Sequence, residues 1–269
     1  MTANAVHPMR RVDVLGVGVH ASTLGESVAT IVRWIAEGER QYVCVTGAHG
    51  VMESRRDERF RAILNAAGMV TADGMPLVWF SRLVRRTPAE RVYGPDLMRA
   101  MTAISPERGY RHFYYGGPPG LAETLKDVVT RRHPGLEVVG TLSPPFRELS
   151  SEEEDEIVAA INASRPDIVW VGLSTPKQEL WMARHLGRIQ APVMIGVGAA
   201  FDFLAGTKAQ APRWMQRNGL EWLFRLATEP RRLWRRYGTI VPGFAILTLR
   251  ELVRQRLRSK PRQAHPQIP

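Results

Sequence analysis

One carboxylate and three main-chain junctions in this 269-residue chain have the types and spacing to do chemistry. Asp73, in Thr71-Ala-Asp-Gly74, ends a short apolar stretch and is backed by Met75-Pro-Leu-Val-Trp79. A carboxylate held against apolar surface loses hydration, its pKa rises, and it can serve as a general base; Asp-Gly is equally a common turn pair. At Ser174-Thr-Pro-Lys-Gln-Glu179 an apolar run stops and a Trp- and Met-bearing stretch begins. Thr175 as N-cap, Pro176 at the first helical position and Gln178 three residues after Thr175 would make a capping box. The same helix start points unpaired N–H groups outward, and with Lys177 beside them it suits an anion. Gly116-Gly-Pro-Pro-Gly120 after Phe-Tyr-Tyr resembles a phosphate loop only loosely, and Thr46-Gly-Ala-His-Gly50 is a fourth polar junction. Asp202 is a carboxylate inside an apolar run and must find a cation or N–H partner, so a structural ion pair is its simplest reading.

The elements that must position these residues follow from pattern. Short β-branched runs at 12–17, 42–46, 69–71, 111–115, 136–139, 167–171 and 193–197 predict strands. Between them, 23–37, 58–67, 94–103, 120–132, 151–163 and 176–186 predict helices, with the acidic run Glu152-Glu-Glu-Asp-Glu156 as a solvated helix start after Ser150 and Ser151. Continuous apolar strands alternating with helices predict an α/β fold, a mostly parallel sheet with helices on both faces. Ligands of such sheets bind beyond the carboxyl ends of the strands, where all four junctions lie.

Composition narrows the class. The lone Cys44 allows no internal disulfide, and no Cys/His cluster has zinc spacing, so a reducing cytosol is the expected compartment. The N-terminus lacks the apolar core of a signal peptide. No run approaches the roughly 18 apolar residues of a spanning helix. Net charge is +11, and residues 208–269 hold 14 Lys and Arg against Glu221, Glu229 and Glu251. The excess charge therefore lies in the tail, interleaved with Trp, Leu and Phe, and predicts an anionic partner there. Residues 213–234 suit either a packed amphipathic helix or a membrane-surface one, while 238–258 read better as a membrane-surface helix. Two segments are expected: an α/β catalytic core over 1–207 and a basic amphipathic appendage over 208–269.

The stretches TADGMPLVW, ERVYGPDLM, YYGGPPG, VGLSTPKQE, GVGAAFDFLAGTKAQAPRWMQRNGLEWLFRL and EPRRLWRRY together resemble the WecG/TagA/CpsF glycosyltransferases, family 26, in the family's order. The resemblance implies a Rossmann-like core and inverting, metal-independent transfer of a sugar (N-acetylmannosamine-like, glucose or related) from a UDP-sugar to a polyprenyl-diphosphate-linked saccharide. The product would be a surface polysaccharide or cell-wall polymer. By position, Asp73 becomes the general base, and Gln178 a donor contact with Lys177, Thr46, Gly116 and Gly117 beside it. Many members have Thr-x-Asn where this chain has Thr46-Gly-Ala48. Arg91 matches an arginine before Gly-Pro-Asp and would clamp phosphate. The appendage arginines of the family fall among Arg213, Arg217, Arg225, Arg231 and Arg232, for phosphate or acceptor. No cofactor or metal is expected, and there is no Asp-x-Asp pair for a nucleotide-bound cation. The expected partners are a nucleotide-sugar donor, the lipid-linked acceptor and an anionic membrane at the inner face of the plasma membrane, with self-association an open question. A nucleotide-dependent oxidoreductase lacks its G-x-G-x-x-G after the first strand. A non-catalytic basic adaptor for membrane or nucleic acid is the other alternative, and no nucleic-acid module accompanies the charge.

Overall fold

The strand-forming runs are apolar at nearly every position because the sheet they build is covered on both faces. The computed structural model describes residues 9–258; the outer ends of the two expected segments, 1–8 and 259–269, lie outside them. The chain runs β1 (Arg11–Val14), β2 (Val17–His20), α1 (Leu24–Glu37), β3 (Gln41–Thr46), α2 (Ala48–Ser54), α3 (Glu58–Ala66), β4 (Met69–Ala72), α4 (Met75–Leu83), α5 (Gly94–Arg108), β5 (Arg111–Gly116), α6 (Leu121–Arg132) and β6 (Glu137–Leu142). It continues through α7 (Ser151–Ala163), β7 (Ile168–Gly172), α8 (Lys177–His185), β8 (Val193–Gly196), α9 (Ala200–Ala205), α10 (Arg213–Arg217), α11 (Glu221–Thr228) and α12 (Pro230–Arg258).

Six strands form one sheet in the order β4-β3-β8-β7-β5-β6, and every neighbouring pair is parallel. Successive side chains of a strand point to opposite faces, so β7 sends Val169 and Val171 into one core and Ile168 and Trp170 into the other. Burying both faces is what gives the sheet its stability, at about 1.5–3 kcal/mol for each fully buried large apolar side chain. Helix ends follow local chemistry. Thr23 and Ser150 each close a capping box, with Glu26 and Glu153, so the acidic run of α7 is the solvated helix start the sequence suggested.

Three expectations change. Residues 12–17 are not one strand of the sheet but run from β1 through a turn at Leu15-Gly16 into β2, which together form a separate antiparallel hairpin. Leu15 and Gly16 both take positive φ, 54° and 99°, and the Gly16 N–H bonds the Asp13 carboxylate at 3.3 Å. Two helices, α2 and α4, occupy segments the pattern left as junction and apolar backing. The expected capping box at Thr175 is absent: Pro176 is itself the N-cap of α8. Thr175 lies one residue before that cap, and its hydroxyl turns inward to donate to Glu179 at 2.8 Å.

The basic tail forms α10, α11 and α12. Along α12, Leu233, Ile240 and Phe244 are buried, and Phe244 meets Phe80 of α4 with ring centroids 6.3 Å apart. Glu251 receives Arg85 at 3.1 Å. One face of the long helix is thus packed on the core. Ile246, Leu249, Val253 and Leu257, spaced three and four apart, remain exposed on the other side. Among the described residues no helix is long and apolar enough to cross a membrane.

Candidate active site

Asp73 lies immediately beyond the carboxyl end of β4. Its N–H donates to the carbonyl of Thr46 at the end of β3, at 2.9 Å, and its Oδ1 accepts from the Gly94 N–H at 3.2 Å. Oδ2 lies over Gly47, where a Cβ would come within 3.8 Å of it. The carboxylate is half-buried. Its pKa is pushed up from 3.8 to about 6, first by burial and then by the Glu221 carboxylate, against the pull of Arg91, the Gly94 N–H and Arg225. A group with that value is largely ionised at neutral pH and is a far better base than an ordinary aspartate.

Arg91 holds this strand end. Its Nε donates to the Asp73 carbonyl at 2.5 Å, its Nη1 to Gln216 at 3.2 Å, and its Nη2 to Glu221. The guanidinium also lies 3.8 Å from the centre of the Tyr93 ring. These protein groups are a different set of partners from the phosphate suggested by the sequence.

Beside this end of the sheet, over β5, β7 and β8, is a cavity of about 980 Å³. Gly117, Ser174, Lys177 and Asp202 line it from the core, and Arg225, Arg232 and Arg236 from the appendage. Tyr115 and Trp181, stacked with centroids 4.3 Å apart, form an aromatic wall. Asp202 pairs with Lys208 at 3.4 Å, the cation partner its burial called for. Arg232 is paired with Glu229 at 2.6 Å. Arg225 and Arg236 have no carboxylate at ion-pair distance among the described residues. Burial, Arg232 and Arg225 together pull the Arg236 pKa down, against Tyr237 and Glu53. Cations packed this closely are organised for an anion.

The expected residues divide between the cavity and its border. Lys177, Gly117, Arg225 and Arg232 line the cavity; Asp73, Thr46, Gln178, Gly116 and Arg91 do not. Arg213, Arg217 and Arg231 are exposed outside it. Thr46 is buried and its hydroxyl points to the Cys44 carbonyl at 3.4 Å. Gly116 serves as backbone: with φ 121°, a Cβ there would lie 2.7 Å from the Gly172 carbonyl carbon. Gln178 is buried beneath the cavity floor, its amide against Gly196 and Gly198. Its Nε2 donates to Glu179 at 3.2 Å, while Gln178 Oε1 and Glu179 Oε2 have no hydrogen-bond partner among the described residues. Arg225 connects the two halves, since it lines the cavity and also lowers the pKa of Asp73.

The sequence reading missed Arg236, Lys208, Glu221 and His49. The first two carried a signal, their place in the basic tail. His49 is pulled down to about 4 by burial and by Arg236, Arg225 and Arg56, so it is neutral at neutral pH. No group of three or more His, Cys, Asp or Glu side chains is placed to hold a metal among the described residues.

A sequence model described as "Glycosyl transferase WecG/TagA/CpsF family" matches residues 12–258. An N-acetylglucosaminyldiphosphoundecaprenol N-acetyl-beta-D-mannosaminyltransferase of Bacillus spizizenii is 31% identical over 210 residues, covering 78% of this chain and 77% of that protein. A protein of the same name from Staphylococcus aureus is 25% identical over 242 residues, covering 89% of this chain and 92% of its own length. With the parallel sheet, the carboxylate at the end of β4 and the cation-lined cavity beside it, these matches make the chain a glycosyltransferase of the WecG/TagA/CpsF family.

Proposed function

We propose that this enzyme transfers a sugar, with inversion and without a metal ion, from a UDP-sugar to a polyprenyl-diphosphate-linked saccharide during synthesis of a surface polysaccharide or cell-wall polymer. The relatives' names give N-acetylmannosamine as the sugar they transfer and a GlcNAc-diphospholipid as their acceptor. The observation that carries the reading is Asp73, a carboxylate of raised pKa at a strand end, beside a cavity lined by Arg225, Arg232 and Arg236.

In the proposed step Asp73 takes the proton of the acceptor hydroxyl as that oxygen attacks the anomeric carbon. The bond from this carbon to the donor's diphosphate breaks, and the electron pair leaves with the nucleoside diphosphate. A single displacement inverts the centre. The leaving charge is met by the appendage arginines, with Lys177 and Lys208 on the same cavity wall, and fixed cations of this kind take the place a metal would fill. Gln178 and Thr46, beneath and beside the cavity, shape the floor on which the donor lies.

The appendage is read as the membrane-facing segment. Exposed Ile246, Leu249, Val253 and Leu257, flanked by exposed Arg250 and Arg254, suit an anionic lipid surface. That surface supports reading the enzyme as cytoplasmic and peripherally bound to the inner face of the plasma membrane, where a lipid-linked acceptor would be presented.

The test incubates the full chain with a panel of UDP-sugars and polyprenyl-diphosphate saccharides in EDTA and looks for a longer glycolipid. Product in EDTA with wild-type enzyme and none with Asp73→Asn is expected. Full activity of Asp73→Asn would sink the base assignment.

A further inference from the structure

We propose that Glu221 is a positioning residue for the transfer: by clamping Arg91 it locks the Asp73 strand end to the appendage and sets the helical turn that brings Arg225 into the cavity. The proposal rests on the reading of Asp73 as the base. Its geometry is a chain of contacts through one guanidinium. Arg91 grips the Asp73 main chain through Nε, Gln216 of α10 through Nη1 and Glu221 of α11 through Nη2. The second oxygen of Glu221 accepts from the Tyr93 hydroxyl at 2.9 Å. Both oxygens of one appendage carboxylate are therefore used by core residues that flank the catalytic strand end. Side-chain exposure is 14% for Arg91 and 18% for Glu221. At that burial an ion pair loses hydration that roughly offsets its attraction, so stability alone is a weak reason for its presence. What a planar, forked guanidinium supplies instead is direction.

Two consequences follow. Residues four apart on a helix share a face, so Glu221 and Arg225 lie one turn apart on the same side of α11. Fixing Glu221 against Arg91 thereby fixes where Arg225 enters the cavity. The Glu221 charge also acts on Asp73 directly, pushing its pKa up while Arg225 pulls it down. Base and leaving-group cation are adjusted together by a single turn of the appendage.

The experiment compares Glu221→Gln, Tyr93→Phe and Asp73→Asn with the wild type, each as the full chain, following glycolipid formation from a UDP-sugar as a function of pH. Glu221→Gln keeps the side chain's size and one acceptor but removes its charge. Its kcat is expected to fall on the order of a hundredfold, the scale of a small misplacement of a reacting group. The acid limb of its kcat/KM profile is expected to move below pH 6, because Asp73 loses the neighbour that raises it. Wild-type kcat with an unmoved acid limb overturns the proposal. A lower kcat with an unmoved limb and a lower unfolding midpoint overturns it too, since that pattern belongs to a merely structural contact. Asp73→Asn separates the two readings: if it is active, the base assignment fails. If it is inactive while Glu221→Gln behaves as wild type, the base stands and the clamp falls. Should Glu221→Gln not fold, Tyr93→Phe carries the test, with kcat several-fold lower expected and an unchanged kcat overturning the proposal.

Discussion

Replacing Asp73 by Asn should make the protein more stable at neutral pH while removing its activity. The folded protein raises the Asp73 pKa from 3.8 to about 6, mainly by burial. Roughly two units at 1.36 kcal/mol each come to about 3 kcal/mol of ionisation cost, and the partial solvent access of the carboxylate reduces this to about 2 kcal/mol. The sign follows from the native state binding the proton more tightly than the unfolded chain. The penalty is absent below pH 3.8, grows as pH rises through the window from 3.8 to about 6, and is complete above it. Asn keeps an oxygen for the Gly94 N–H and has no charge to desolvate. Thermal unfolding at pH 7.5 should therefore show Asp73→Asn melting roughly 4–8 °C above the wild type, with the difference vanishing near pH 4. Urea unfolding at the same two pH values, with an unchanged slope, checks that the gain lies in the native state. An equal gain at both pH values would show that the effect is not ionisation, and no gain at pH 7.5 would refute the reasoning altogether. A functional carboxylate held at a thermodynamic cost is the ordinary trade between stability and activity.

Gly116→Ala should destabilise the protein by about 3 kcal/mol or more in urea unfolding, because φ is 121° and the new Cβ would meet the Gly172 backbone at 2.7 Å. Arg236→Ala should leave the unfolding midpoint unchanged or slightly raised, since it relieves repulsion with Arg232 and Arg225, while the donor KM rises roughly tenfold. Ile246→Glu combined with Leu249→Glu, at positions 51% and 61% exposed, should unfold like the wild type but bind anionic liposomes at least roughly tenfold less tightly in a flotation assay. Dialysis against EDTA should leave turnover unchanged, and restoration of lost activity by Mg²⁺ or Mn²⁺ would contradict transfer by arginines alone.

The parallel sheet was legible because its strands are short apolar runs separated by helical periodicity, a pattern that survives without knowledge of any contact. The hairpin at residues 11–20 was not, since Leu15 at positive φ is no turn signal and the two short strands read as one run. Helix α2 was hidden by Gly50, which is in place because a Cβ there would come 2.9 Å from the Thr46 methyl. Helix α4 was hidden by the turn-like Asp73-Gly74 before it. For the tail, charge and apolar spacing indicated an amphipathic helix but not which stripe faces the core. Phe244 is packed against Phe80 from a distance of 164 residues, whereas Leu249, equally apolar, is exposed.

The site divides in the same way. Asp73 stood out in the sequence because a carboxylate at a strand end with apolar residues behind it is a local pattern, and burial is the leading cause of its raised pKa. The helix start after Ser174 was also local, although the cap was not: Thr175 spends its hydroxyl on Glu179 inside the protein. By contrast Arg91, chosen for phosphate, meets Gln216 and Glu221, 125 and 130 residues away. The sequence by itself determined which groups were available: one desolvated carboxylate, glycines at strand ends and a cationic tail. Tertiary structure alone decided which arginine faces the cavity and which holds the strand, because that depends on where α11 packs, and packing is a property of surfaces that the chain brings together only on folding.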